Sequence, residues 1–279
     1  MLSIGMRAHD MPAANFEELI SKIGGLDLKC IQLALKKSIT DISVENEALT
    51  PGLAFHLKKI LHDNNVNVSV LGCYLNMATP DEEELKQSIV TYKANMRFAK
   101  YLGCAMVGTE TGAVNVEYKY TPENRTDKAL EILVKSVAEL ADYADKLGVT
   151  FGIEPVSNHI IYDVKRARQL LDIIDSPNVQ IILDPINIFT EENYVNQEEI
   201  MEEAFDLLGE NIIAVHVKDF IIKDNKKIGV PIGEGIFNYD KLLSLLKKHK
   251  PYIHVLMEDT TPDNVVASRD FILNKFNSL

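Results

Sequence analysis

Hydrophobic and polar positions fall into two textures along the chain. Short, nearly unbroken apolar runs ("LSIGMR", "LKCIQLAL", "NVSVLGCYL", "CAMVGTE", "TFGIEPV", "VQIILDPI", "IIAVHVKDF" and "IHVLMED") predict eight strands. Their lack of polar alternation is the pattern of strands covered on both faces, as in a parallel sheet. Between them lie longer segments whose apolar residues recur three or four apart. The clearest covers 126–147, where Leu130, Leu133, Val137, Leu140, Ala141, Ala144 and Leu147 form one stripe and Gly148 marks the stop. Thr79-Pro80-Asp81, Thr121-Pro122-Glu123 and Thr261-Pro262-Asp263 read as helix starts, with a capping threonine before proline and acids for the helix dipole.

Eight alternating βα units in 279 residues predict closure into a (β/α)8 TIM barrel. A doubly wound open sheet is the alternative. It uses fewer strands, and no G-x-G-x-x-G follows the first run. No Gly/Ser-rich linker or low-complexity tract divides the chain, so one domain over 1–279 is expected.

Composition narrows the function. The formal net charge is -12 and basic residues cluster only in pairs such as Lys247-Lys248. A nucleic-acid binder carries a basic stripe, so an acidic enzyme of small metabolites fits better. Cys30, Cys73 and Cys104 lie in apolar segments without C-x-x-C spacing and read as buried reduced thiols. With no signal-peptide pattern at the N-terminus and no run of 18 apolar residues, a cytoplasmic protein without a membrane span is expected.

The chemistry gathers at strand ends, where a (β/α)8 barrel builds its active site. Strand five ends in Glu154, strand six in Asp184, strand seven carries His216 and strand eight ends in Glu258. Three carboxylates converging without a cation repel one another and raise a pKa. A divalent metal resolves the conflict, with Glu154, Asp184, His216 and Glu258 as ligands. The oxygen-rich set suits Mn²⁺, Mg²⁺ or Co²⁺ better than Zn²⁺. Further polar candidates are His9, Tyr74, Asn76, Glu110 and His159, of which Glu110 and His159 rank first for substrate contact. The glycines of "IGVPIGEGIFNYD" let backbone N–H groups approach a phosphate or simply make a turn before a helix near Tyr239, and the turn is the preferred reading.

Taken together, "FGIEPV", "IILDPIN", "VHVKDF", "VPIGEG" and "LMEDT" resemble the sugar phosphate isomerase/epimerase superfamily of xylose isomerase-like TIM barrels, over essentially the whole chain. The resemblance implies a metal-dependent sugar or sugar-phosphate isomerase or epimerase. In the epimerase members the two glutamate ligands also move the proton. Carried over, Glu154 and Glu258 exchange a proton on opposite faces of a carbon next to a carbonyl, through an enediolate. Asn187 stands where ketose epimerases often carry a histidine. His216-Val-Lys218-Asp219 is closer to the sugar-phosphate and inosose branches, and Asn187 and Lys218 are expected to contact substrate. An inosose-type dehydratase is the alternative enzyme, and a non-catalytic metal- or sugar-binding barrel the alternative class. A DNA-repair phosphodiesterase is disfavoured, because Asp184-Pro-Ile-Asn187 lacks that branch's Asp-x-His. Barrels of this kind often form dimers or tetramers, so a homo-oligomer is within expectation.

Overall fold

A computed structural model describes residues 2–104 and 106–279. The strands are β1 (Ser3–Arg7), β2 (Cys30–Leu33), β3 (Asn67–Gly72), β4 (Met106–Glu110), β5 (Thr150–Glu154), β6 (Val179–Leu183), β7 (Ile212–Val217), β8 (Asp219–Lys223), β9 (Lys226–Val230) and β10 (His254–Met257). The helices are α1 (Phe16–Gly25), α2 (Leu35–Ser38), α3 (Pro51–Asp63), α4 (Glu82–Leu102), α5 (Asp127–Leu147), α6 (Val164–Ile174), α7 (Pro185–Ile188), α8 (Gln197–Leu208), α9 (Tyr239–His249) and α10 (Val265–Ser278). Among the described residues, eight strands close a parallel barrel in the order β1-β10-β7-β6-β5-β4-β3-β2. Each of the eight apolar runs contributes one barrel strand. Ala105, inside the predicted fourth strand, lies outside the described residues.

Two hydrophobic layers hold the barrel. The strands' outward residues and the inner faces of the helices form the main core, with Phe151, Leu133, Val137 and Leu140 among its buried members. A smaller cluster of Cys30, Val70, Met106, Ile182, Ala214 and Leu256 draws on β2, β3, β4, β6, β7 and β10. Side chains that alternate away from the outer core fill a TIM barrel's interior. All three cysteines are buried and free. Burial pushes the Cys30 and Cys73 thiols up to about 12, so both are unreactive at neutral pH.

Helix α5 starts and stops as its sequence predicts. Thr126 Oγ1 accepts from Ala129 N, and Gly148 closes the helix in the left-handed region at φ 66°. The three Thr-Pro starts differ, and Thr121 opens only a 3-10 turn, Pro122–Arg125, without a side-chain cap. Asp81, not Thr79, caps α4, accepting from Glu83 N and Glu84 N, while Thr79 bonds to the Glu84 side chain. Helix α10 begins three residues beyond Thr261-Pro262, after Asn264. Proline tolerates any position in the first turn or before it, so it marks a neighbourhood and leaves the cap to the oxygen that reaches the N–H groups.

The largest departure is at "IIAVHVKDF". The barrel strand stops at Val217, and Asp219 begins an antiparallel hairpin, β8–β9, registered Asp219↔Val230 to Lys223↔Lys226. Lys227 ties this hairpin to α7, donating to Ile186 O and Phe189 O at 2.7 Å each. No helix among the described residues is long and apolar enough to cross a membrane.

Candidate active site

The C-terminal ends of β5, β6, β7 and β10 converge on one buried cluster. Glu154 is the last residue of β5, Asp184 follows β6, His216 is the next-to-last residue of β7, and Glu258 follows β10. None of the four is more than 8% exposed. Parallel pairing sets Glu110 beside Glu154, so a fourth carboxylate stands on the same rim.

Local sequence fixes Asp184. Extended backbone there, followed by Pro185, makes it the cap of α7, and its Oδ1 accepts from Ile186 N at 2.8 Å and Asn187 N at 3.1 Å. A carboxylate has two oxygens. The second, Oδ2, lies 2.8 Å from Lys218 Nζ. Asn187 joins the pieces, since its Nδ2 donates to Glu154 Oε1 at 2.7 Å and its Oδ1 accepts from Lys218 Nζ at 2.7 Å. Backbone pairing of Glu258 N with Val217 O holds Glu258 against β7.

His216 is fully buried, with Nδ1 3.2 Å from Glu154 Oε2 and 3.3 Å from Glu258 Oε1. Neither ring nitrogen makes a hydrogen bond of good geometry. Burial alone would lower its pKa, but Glu154 and Glu258 outweigh burial and raise it to about 9. Burial likewise opposes the charge on Glu258, yet His216, Lys218 and Arg7 pull its carboxyl down to about 2. Lys218 is raised above its ordinary range because Asp184 and Glu258, at 2.8 and 3.1 Å, overcome burial. Asp184 is raised by burial, with Lys218 opposing.

One ligand atom from each of Glu154, Asp184 and His216 lies within 4.8 Å of the others. A buried imidazole whose two nitrogens lack a well-formed hydrogen bond, with two carboxylates crowded against Nδ1, is under-satisfied. This donor set fits a divalent ion. An ion there would share the Asp184 and Glu258 carboxylates with Lys218, which lies 2.8 and 3.1 Å from them.

Above the cluster opens a cavity of about 430 Å³. Glu154, Glu258, Asn187, Lys218 and Glu110 line it, along with His9 and Tyr74. Burial, then Glu154 and Glu258, push Glu110 up to about 7. His159 is off the cavity wall. It is buried with Nδ1 3.6 Å from Glu110 Oε2 and its ring edge-on to Tyr118 at 5.2 Å. Burial holds it near 4, so it is neutral beside Glu110. Asn76 is structural, its side chain bonding Ala78 N, Ala113 N and Asn115 O.

Sequence reading missed Arg7, Gln32, Lys37, Tyr118 and Asp259 on the cavity wall. Two carried a signal. Arg7 is the charged end of the first apolar run, and Gln32 is a lone amide inside the second. Arg7 is tied to Asp10 and Asp259 at 3.0 and 2.7 Å and lies 3.7 Å from Glu258. Lys37 and Tyr118 sit off the strands, where no periodicity marks them.

The glycine loop keeps its amides for the protein. Asp219, 2% exposed, accepts from Gly233 N and Gly235 N through Oδ2, and from Phe220 N and Phe237 N through Oδ1. The turn reading holds, and these N–H groups are spent before any phosphate arrives. Gly235 is required by space, because a Cβ there would sit 2.1 Å from Asp219 Oδ1 and 2.4 Å from Phe220 O. Gly235→Ala is therefore expected to lower stability by about 2 kcal/mol or more in urea unfolding, through the displaced carboxylate.

A model of the xylose isomerase-like TIM barrel matches residues 20–275. No curated protein matches the chain by sequence. Among solved structures, a D-tagatose 3-epimerase-like protein is similar at TM-score 0.77 and 20% identity, over 99% of this chain and 97% of its own. The probable 3-DHS dehydratase AsbF of petrobactin synthesis, from Bacillus anthracis, superposes at 0.75 and 15%, over 98% and 99%. A xylose isomerase-like barrel from Mycobacterium smegmatis, in complex with magnesium, does so at 0.70 and 17%, over 98% and 94%. At these identities the likeness concerns the fold.

Proposed function

The chain belongs to the xylose isomerase-like TIM barrel family, and we propose that it is a divalent-metal-dependent isomerase or epimerase of a sugar or sugar phosphate. The observation that carries this reading is the convergence of Glu154 and Glu258 on one nitrogen of His216, at 3.2 and 3.3 Å, beneath a polar cavity that both glutamates line.

Glu154, Asp184, His216 and Glu258 would hold the metal, which supplies Lewis-acid stabilisation of charge developing on a carbonyl oxygen. The rest is the work of the chain's own groups. Glu258 is firmly ionised and serves as base towards a proton next to the carbonyl. Glu154, oriented by Asn187 at 2.7 Å, exchanges the proton from the opposite side. A base and an acid on two faces of one carbon invert it. Glu110, beside Glu154 on the rim and on the cavity wall, is placed to bond a substrate oxygen. Arg7 and Asn187 keep the two glutamates apart and aimed.

Lys218 supports a second reading. Its ammonium lines the cavity 3.1 Å from Glu258 Oε2 and can donate a proton to a departing hydroxide, which makes the same site a dehydratase. The deciding experiment is NMR in heavy water with D-tagatose, other ketohexoses and their phosphates, in Mn²⁺, Mg²⁺ or Co²⁺. Deuterium at the carbon beside the carbonyl supports the first reading, and a dehydrated product supports the second. Neither product from metal-loaded protein overturns both.

Metal removal gives an independent check. Adding Mn²⁺ to chelator-treated protein at about 100 times its Kd is expected to stabilise the fold by about 2.7 kcal/mol. Asp184→Asn should lose most of that gain in a thermal melt. An unchanged gain in the variant would place the ion elsewhere.

A further inference from the structure

The cavity has a second polar end that the four-residue cluster leaves unexplained. Gln32 lies in β2, a strand buried at every position, and is itself 2% exposed. In the closed strand order β2 stands four steps from β6 in either direction, so the strand of Gln32 lies across the barrel from the strand that Asp184 follows. Its Nε2 bonds Tyr74 Oη at 2.6 Å, while its Oε1 is buried without a partner and the residue lines the cavity. His9, also on the wall, likewise has a buried, unpartnered Nδ1.

A glutamine in an all-buried strand is uncommon, and half-satisfying it costs stability. An apolar residue would fill the position without that penalty. The sequence also makes room for the arrangement, because a Cβ at Gly72 would lie 2.7 Å from the Tyr74 ring. The ring that holds the amide thus rests on a position kept bare.

We infer that Gln32 is a specificity residue that reads a substrate hydroxyl at the end of the cavity opposite the carboxylate–imidazole cluster. The choice of hydroxyl follows from the amide's symmetry. A tyrosine hydroxyl both donates and accepts, so turning the amide over keeps the Tyr74 bond and exchanges which end is free. Only a ligand group that also does both satisfies either arrangement. A phosphate or a carbonyl oxygen only accepts, and an ammonium only donates. The inference rests on the sugar-type reading for the identity of the substrate, but the amide itself needs only a polyol.

The test uses nitrogen-edited NMR of the full chain. The Gln32 side-chain NH₂ pair is the one absent from Gln32→Met. Two probes are titrated: D-tagatose, and D-sorbitol, which has no carbonyl to react. The expected result is a saturable shift of the Gln32 pair with both probes, and affinity about tenfold weaker in Gln32→Met, the worth of one neutral hydrogen bond. A Gln32 pair that stays still with both probes overturns the inference, as does a variant that binds as tightly as the native protein. Sorbitol separates the two claims, because the Gln32 pair still responds to it if sugar turnover fails in heavy water.

Discussion

Glu258→Gln is expected to cut turnover by about a thousandfold or more, the scale of losing a positioned base, while the barrel stays folded. The substitution keeps the side chain's shape and removes its charge and its proton affinity. Its neighbours have other partners. Lys218 keeps Asp184 and Asn187, Arg7 keeps Asp10 and Asp259, and His216 keeps Glu154. The hydrophobic residues of β10 are untouched. Rates and deuterium exchange are to be measured at saturating metal, with bound metal quantified, so that weaker ion binding is separated from loss of the base. A circular dichroism melt within a few degrees of the native protein confirms the fold. Undiminished activity in this variant would sink the paired-glutamate mechanism.

The second large effect is on stability. Asp219→Ala is expected to cost about 4 kcal/mol, summing the penalty for buried amides left without an acceptor, and to lower Tm by on the order of 8 °C. Four backbone N–H groups converge on this one carboxylate. Gly233 is exposed and its amide recovers a bond to water, but Phe220 and Phe237 are buried and theirs do not. The loop then loses its anchor beside the site, where Tyr239 Oη bonds Lys218 O at 2.8 Å. Asp219→Asn keeps one accepting oxygen and should lose roughly half as much. A drop below about 1 kcal/mol for the alanine variant would mean that the loop's amides find water freely, contrary to their burial.

Both predictions concern acidic residues, and they differ in how legible each was. Glu258 was readable because it ends an apolar run, and a buried parallel strand is a local, contiguous signal. The same signal marked Glu154, Asp184 and the placing of His216. Asp219 was not readable. It sits inside "VHVKDF", which reads as continuous strand, yet the chain breaks at Lys218 and folds back as a hairpin. Nothing local separates a strand that continues in the barrel from one that turns out of it.

The sequence alone determined the eight apolar runs, the helices between them and the polar residues at the strand ends. These follow from burial and periodicity, which act over a few neighbouring residues. Tertiary structure decided which atoms meet. It set Lys218 on Asp184 and Glu258, turned the glycine amides inward to Asp219, withdrew His159 behind Glu110, and placed the strand of Gln32 across the barrel from the strand that Asp184 follows. Those pairings depend on strand order, loop folding and barrel closure, which bring together residues well separated along the chain, and on the rule that each buried polar atom binds whichever partner comes within reach.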